Sequence, residues 1–226
     1  MQLFDTSRRW VANLGVLALA CGVMWLIVEV ALPYFVRLEK VSLTYDALLG
    51  FRGRAHLRTD FYREMKGKGR VVQTNGKGFH DVEQEQKKAP GTYRVVFLGD
   101  SFVEAYQVEI EDNFCSQTGR LLNRRKLAGF ERVETLNQGL HGYGLGQYYL
   151  YVRERLLAWS ADAVVLALFL GNDLHDNFTP LASPAVPRFH FSEGGLKSVP
   201  APEYTLKLWL RDNVMARSNV MRFVWL

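Results

Sequence analysis

The stretch Val95-Val96-Phe97-Leu98-Gly99-Asp100-Ser101-Phe102 decides the fold, because a short apolar run ends there abruptly in Gly-Asp-Ser. The apolar residues predict a buried central strand over residues 94–98, and Gly99 marks its end. Open α/β sheets bind their ligands beyond the carboxyl ends of the strands. Ser101 is therefore predicted to lie at the edge of a sheet where chemistry takes place.

Strand-like and helix-like segments alternate along the middle of the chain. A helix is predicted from Asn113, with Asp112 as its N-cap, followed by a strand over residues 132–136 and a helix over about 146–159. A third strand, residues 163–170, is uniformly apolar, which is typical of a strand covered on both faces. This β-α-β-α-β order predicts an α/β fold with a parallel sheet and right-handed crossovers.

Two later strands also end in polar signatures, Asn137-Gln138-Gly139 and Gly171-Asn172-Asp173. Taken alone, each signature is also typical of an ordinary turn or loop. Together, Ser, Gly and Asn at the ends of successive strands resemble the SGNH (GDSL) hydrolase family. The run Thr74-Asn75-Gly76-Lys77-Gly78-Phe79 resembles the Asn-x-x-Gly-Phe lead-in of its membrane-anchored members. The resemblance covers residues 74–177 and implies a three-layer, flavodoxin-like SGNH fold.

The resemblance also implies a serine esterase or acyl hydrolase with Ser101 as the nucleophile. A serine hydroxyl must lose its proton as it attacks, and the oxyanion that forms must meet preorganised donors. The family's Ser, Gly and Asn supply these donors, and they correspond here to Ser101, Gly139 and Asn172. Asp100 and Asp173 are supporting candidates beside them. The implied substrate is a small acyl ester on a cell-envelope glycan or lipid.

The general base is missing from this pattern. The family takes it from a His in a late Asp-x-x-His motif, and none of the five histidines, His56, His80, His141, His175 and His190, follows an Asp at that spacing. We therefore expect an incomplete fold of this type, the amino-terminal portion of an esterase or acyl transferase, with feeble activity by itself. His141 and His175 are the candidate substitutes, since both fall in loops at the chemical end of the sheet. The alternative is a catalytically inactive SGNH-like binding module or a truncated gene product.

The amino-terminal region predicts a membrane anchor. Residues 10–28 contain no charge, and apolar character resumes after Glu29 as far as Val36, which is long enough to cross a hydrocarbon core. A cleaved signal peptide would have a shorter apolar region, and a lipoprotein would turn polar soon after Cys21. We predict one uncleaved transmembrane helix over residues 10–36, after a cytoplasmic tail of residues 1–9, with the following domain on the extracytoplasmic side.

Two further segments complete the predicted organisation. Residues 37–90 are irregular and carry twelve Lys and Arg against seven Asp and Glu, an excess equal to the net charge of +5. They predict a basic connector, solvated or touching anionic headgroups. Residues 91–226 are assigned to the hydrolase-like domain, in which residues 204–226 predict an amphipathic helix.

Composition and motifs also exclude several classes. The basic residues are scattered and not interleaved with aromatics, so no nucleic-acid partner is expected, and the lipid bilayer is the expected partner of the anchor. Cys21 and Cys115 are far apart, so no disulfide is predicted, and Cys115 is interpreted as a buried thiol.

No cofactor and no metal are predicted. The glycines between Gly142 and Gly146 lack the full spacing of a dinucleotide-binding loop. Asp173, His175 and Asp176 are near neighbours in one loop, and such residues rarely converge on one ion.

Overall fold

The computed structural model describes residues 2–36, 38–61, 69–171, 173 and 185–225, and the chain forms two compact units. One unit comprises Met1–Leu38 with Asn213–Leu226, and the other comprises Glu39–Asp212. The elements in chain order are α1 (Gln2–Phe35), β1 (Leu43–Asp46), β2 (Gly50–Gly53), β3 (Arg58–Phe61), β4 (Arg70–Gln73), β5 (Thr92–Gly99), α2 (Ser101–Glu104), α3 (Phe114–Arg125), β6 (Arg132–Gly139), α4 (Leu145–Glu154), β7 (Ala163–Leu166), β8 (Arg188–Ser192), β9 (Gly195–Val199), α5 (Leu206–Leu210) and α6 (Asn219–Trp225).

The first unit is built on the long apolar helix α1. The prediction of one continuous helix through the charge-free region is confirmed, and the helix runs past Pro33 to Phe35. Its segment Arg9–Phe35, 27 residues with a mean hydropathy of 2.3 in its most apolar window, is long and apolar enough to span a membrane. The side chains of residues 9–28 are all exposed.

The second unit is centred on a parallel sheet in the order β6-β5-β7. Buried apolar side chains lie on both faces of this sheet, as expected when helices cover both sides. One cluster contains Val96, Leu98 and Leu136 with Tyr148 and Tyr151 of α4. The other contains Val95, Phe97 and Val133 with Cys115 of α3. The mixed α/β class with a parallel sheet is confirmed by this arrangement.

The predicted connector, residues 37–90, has more structure than its sequence indicated. β1 pairs antiparallel with β2, and β3 pairs antiparallel with β4. Leu49 and Phe79 from this region are buried in the same cluster as the sheet residues. The segment from Glu39 onward therefore belongs to the compact second unit.

Several predicted boundaries differ from the observed ones. The third strand ends at Leu166, and Val164, Val165 and Leu166 are 40–44 % exposed, because β7 lies at the edge of the sheet and pairs with β5 alone among the described strands. The prediction that β7 is covered on both faces, made from its uniformly apolar sequence, was therefore wrong. The second strand is longer than predicted and runs through to Gly139.

Two helix predictions are also corrected. The N-cap of α3 is Asn113 and not Asp112, since the Asn113 side chain accepts a hydrogen bond from the Ser116 N–H at 2.8 Å. Asp112 lies in a 3₁₀ turn just before it. The single helix predicted over residues 204–226 is instead α5, a π-helical turn over Arg211–Met215, and α6, with a break at residues 216–218 before α6.

Candidate active site

Ser101 lies at the carboxyl end of the central strand, as the sequence predicted. β5 ends at Gly99, Asp100 follows, and Ser101 is the first residue of α2. The buried Asp100 carboxylate caps this helix by accepting a hydrogen bond from the Phe102 N–H at 2.9 Å. Asp100 therefore supports the site by fixing the turn that presents Ser101.

Gly139 is brought beside this turn by the strand register. Gly99 and Gly139 are direct partners in the β5–β6 pairing. A Cβ atom on Gly139 would lie 2.5 Å from the Glu104 backbone nitrogen and from Val103 Cβ, so only glycine lets α2 approach the end of β6 this closely. The Gly139 N–H donates to Asn137 Oδ1 at 3.0 Å. The role of the Gly139 N–H as a hydrogen-bond donor to an oxyanion stays a prediction. In that role the N–H would have to share or break its bond to Asn137 Oδ1.

Asn137, one residue of the second signature, joins β6 to α2. Its side chain is 2 % exposed, and its Nδ2 donates to the Val103 carbonyl at 2.7 Å. The end of β6 and the helix that carries Ser101 are therefore held together by one buried amide. The sequence analysis did not assign this role to Asn137.

The two residues that follow the lead-in segment, His80 and Asp81, are hydrogen-bonded to α2 and to β6. His80 Nδ1–H donates to the Glu104 carbonyl at 2.9 Å, and Asp81 Oδ2 accepts from the Asn137 N–H at 2.7 Å. Burial lowers the pKa of His80, which keeps the ring neutral. Burial also raises the pKa of Asp81 to about 7, against the opposing effect of the N–H groups of Asn137 and Val82. The lead-in segment Thr74–Phe79 is thus followed directly by two buried residues that position α2 and β6.

His141 is paired with a carboxylate that the sequence analysis missed. Its Nδ1 lies 2.9 Å from Oε1 and 2.8 Å from Oε2 of Glu104, and its backbone N–H donates to Oε2 at 3.3 Å. The Glu104 side chain is 3 % exposed, whereas that of His141 is 35 % exposed. A buried carboxylate therefore orients a ring that remains accessible from the site, and it fixes Nδ1 as the protonated nitrogen.

Ser101 and this histidine–carboxylate pair line one cavity of about 240 Å³. The full lining consists of Glu39, Lys40, Ser42, Thr59, Asp60, Phe61, Ser101, Glu104, Tyr106, Gln107 and His141. Most of these side chains are polar or charged, and the volume is at the small end for ligand pockets. The cavity thus suits a small polar group more than a long acyl chain.

Tyr106 lines the cavity, but its hydroxyl is buried beneath the cavity surface. The residue is 6 % exposed, and its hydroxyl has no hydrogen-bond partner of good geometry among the described residues. Burial, together with the nearby Glu104 charge, raises the pKa of the Tyr106 phenol well above its ordinary value. The hydroxyl therefore stays protonated and is a hydrogen-bond donor over the whole physiological pH range.

The remaining predicted site residues divide into two groups. Asn172 and His175 lie outside the described residues. Asp173 is buried, and its Oδ2 accepts from the Phe169 N–H at 2.9 Å, while its carbonyl accepts from the Leu145 N–H at 3.4 Å. Asp173 thus closes the turn after β7 and joins it to the start of α4.

Two other chemistries receive no support at this edge of the sheet. Over the described parts of the chain, no group of three or more His, Cys, Asp and Glu side chains is placed to hold a metal ion. Cys115 is 1 % exposed, and burial raises the pKa of its thiol, so it is unsuited to act as a nucleophile.

Comparison with family models, with curated proteins and with solved structures gave no match to this chain.

Proposed function

We propose that this chain is a membrane-anchored serine hydrolase of acyl esters, with Ser101 as nucleophile and His141 as general base. The observation that carries the proposal is that Ser101 and the Glu104-bound His141 line one cavity at the carboxyl edge of a parallel sheet. A nucleophile, a base and a carboxylate that orients the base are the three parts of a Ser-His-Asp type of site. Here the carboxylate is three residues after the nucleophile on the same short helix.

The proposed reaction has two halves. In the first, the Ser101 Oγ bonds to the acyl carbon, and Nε2 of His141 takes the hydroxyl proton. The ester C–O bond then breaks, and the imidazolium returns the proton to the departing alcohol. In the second half, His141 takes a proton from water as the water oxygen attacks the acyl-enzyme, and Ser101 leaves with that proton as the free acid forms.

Glu104 stabilises the charge that His141 acquires in both halves. The pair is close and the carboxylate is buried, so the attraction to an imidazolium is screened far less than at the surface. Proton transfer to His141 is therefore favoured when the site is occupied. The exposed His56–Glu83 pair, 3.4 Å apart with side chains 74 % and 64 % exposed, lacks this environment.

The oxyanion formed in each half needs donors. The backbone N–H groups of Ser101 and Gly139 and the Asn172 side-chain amide are the donors implied by the resemblance to the SGNH family. Preorganised donors of this kind contribute about 10²–10³ in kcat each.

The cavity also favours one kind of substrate. Its wall carries Lys40, Asp60 and Gln107, so the group next to the ester is polar. We propose a short acyl group, such as acetyl, on a sugar hydroxyl of a cell-envelope glycan. A membrane anchor would keep the enzyme beside such a substrate on the extracytoplasmic side.

A second candidate function is an inactive module that binds an acylated glycan. The observation that favours it is the Gly139 N–H, which is already bonded to Asn137 Oδ1. Hydrolysis of 4-nitrophenyl acetate by the full chain in detergent separates the two. The hydrolase requires that Ser101→Ala and His141→Ala each lower kcat by about 10³-fold or more, as loss of a triad member does.

Two matched variants control this experiment. Ser192→Ala removes an exposed hydroxyl, and His56→Ala removes the exposed histidine of the second His–Glu pair. Both are expected to keep the rate of the unmodified chain. A rate that is equal in all five proteins would mean that the site described here is not catalytic.

A further inference from the structure

Glu29 is the only charged residue in the apolar part of α1, and it is hydrogen-bonded to residues at the start of α6 in the same unit. Glu29 is the first side chain of the span that is partly covered, since residues 9–28 are all exposed. Ser218 Oγ donates to Glu29 Oε2 at 2.8 Å, and the Val220 N–H donates to the same oxygen at 3.1 Å. The Asn219 N–H donates to Oε1, and Asn219 Nδ2 donates to the Glu29 carbonyl at 2.8 Å.

These bonds cap helix α6 from a neighbouring helix. The first N–H groups of a helix have no partner within it and carry partial positive charge. Ser218 caps α6 locally, since its Oγ accepts from the Met221 N–H at 3.1 Å. The Glu29 carboxylate satisfies the donors that Ser218 does not reach. Arg222, on the first turns of α6, adds a full positive charge that attracts Glu29.

The location of Glu29 along α1 sets the depth of this contact. It lies six residues before Phe35, which is about 9 Å at the helical rise. The span Arg9–Phe35 is about 40 Å long, whereas the hydrocarbon core is about 30 Å thick. A span that fills the bilayer therefore places Glu29 and the start of α6 near the boundary between headgroups and hydrocarbon.

The outer side of α6 is apolar. Phe223 is 49 % exposed and Val224 is 76 % exposed. Helix α6 packs against α1, whose residues 9–28 are also exposed. Aromatic and aliphatic side chains on a short helix at this depth are typical of interfacial helices. Lipid is the one partner that would cover both the exposed apolar side chains of α1 and those of α6.

We propose that α6 is a second membrane contact, an interfacial helix held on α1 by Glu29 and embedded in lipid through Phe223 and Val224. The proposal rests on the membrane-anchored part of the proposed function, and it gives the charged residue of the anchor a specific purpose. Two parts of the chain that are far apart in sequence would then be fixed at the bilayer.

Nitroxide-lipid quenching of a fluorescent thiol label on the full chain in phosphatidylcholine vesicles tests this directly. The native Cys21 is exposed and reports on α1, while Cys115 is 1 % exposed and is not labelled. Val224→Cys in a Cys21→Ala background reports on α6. We expect strong quenching at both positions, and loss of quenching at position 224 alone when Glu29→Ala is added.

Each other outcome has a definite meaning. Quenching at Cys21 without quenching at position 224 would overturn the proposal and leave the anchor intact. Quenching at position 224 that persists in Glu29→Ala would also overturn it, because Glu29 would not hold the helix. Absence of quenching at Cys21 would refute the membrane anchor itself. Glu193→Ala, a change in the turn between β8 and β9, is the matched control and should change neither signal.

Discussion

His141 Nδ1 lies within 2.9 Å of both carboxylate oxygens of Glu104, although the two residues are separated by 37 positions in the chain. β6 and α2 bring them together, since His141 is the second residue after β6 and Glu104 ends α2. The close packing of Val103 over Gly99 and Gly139 sets the spacing between these elements. His141, one of the two candidate substitutes for the missing base, therefore has a carboxylate that orients its ring.

The first prediction concerns Glu104. Glu104→Gln keeps the side-chain volume but removes the charge that stabilises an imidazolium, so kcat should fall by about 10²–10⁴ while KM changes little. Steady-state kinetics with 4-nitrophenyl acetate measures both constants. Glu83→Gln, in the exposed His56–Glu83 pair, is the matched control and should leave kcat unchanged. An unchanged kcat in Glu104→Gln would remove the pair from the mechanism.

The second prediction separates stability from activity at Tyr106. An unpartnered buried hydroxyl costs about 1–3 kcal/mol, so Tyr106→Phe should keep or raise the midpoint of thermal unfolding. Because the hydroxyl has no exposed surface in the cavity, the same variant should leave kcat nearly unchanged. Tyr149→Phe, at an exposed position, should change neither quantity. A lowered midpoint would mean that the hydroxyl is hydrogen-bonded to Glu104, and a lowered kcat would mean that it reaches the reacting groups.

The third prediction concerns the contact between α2 and β6. A Cβ atom at Gly139 would lie 2.5 Å from backbone and side-chain atoms of α2. Gly139→Ala should therefore destabilise the domain by about 1–3 kcal/mol, as overpacking does, and lower activity by moving Ser101. Calorimetry and the ester assay on the same sample measure both effects. Gly194→Ala is the control, because a Cβ there meets nothing within 4 Å. Equal stabilities of the two variants would contradict the packing argument.

The fourth prediction follows from the pKa of Asp81, which burial raises from 3.8 to about 7. Between these values the folded chain holds a proton on Asp81 that the unfolded chain does not. The stabilisation from this proton is fully present below about pH 4 and is lost as the pH rises to about 7. The slope is up to about 1.4 kcal/mol per pH unit.

The measurement for Asp81 is the difference in unfolding midpoint between the native chain and Asp81→Asn, at pH 5 and at pH 8. Other titrating groups are common to both proteins and largely cancel. The unfolding midpoint of the native chain, relative to that of Asp81→Asn, should be higher at pH 5 than at pH 8. The reverse order would mean that the N–H donors of Asn137 and Val82 control this carboxyl and keep it ionised.

The sequence predicted the sheet because its strands are short apolar runs that end in glycine and polar residues. It predicted Ser101 at a strand end for the same reason. It did not predict that β7 is half exposed, since apolarity describes a side chain and not what covers it. The cap of α3 was misplaced by one residue because Asp112 and Asn113 are both good capping residues and only the backbone geometry separates them.

The Glu104–His141 pair was missed for a different reason. A contact across 37 residues depends on how α2 lies on β6, which no local pattern encodes. A partial signal was present, since Glu104 follows Ser101 by three positions on a helix and such residues share one face. The Tyr106 hydroxyl gave no signal at all, because its burial depends on the turn at Ala105, which has a φ of 54°.

The most direct test of the central claim is covalent labelling of the full chain with a fluorophosphonate. In this reaction the Ser101 Oγ bonds to phosphorus, fluoride leaves, and the hydroxyl proton passes to His141. The account predicts one modified peptide, containing Ser101, with no modification in Ser101→Ala and a labelling rate at least about 10²-fold lower in His141→Ala. Modification at any other serine, or a labelling rate of Ser101 unaffected by His141→Ala, would contradict the account.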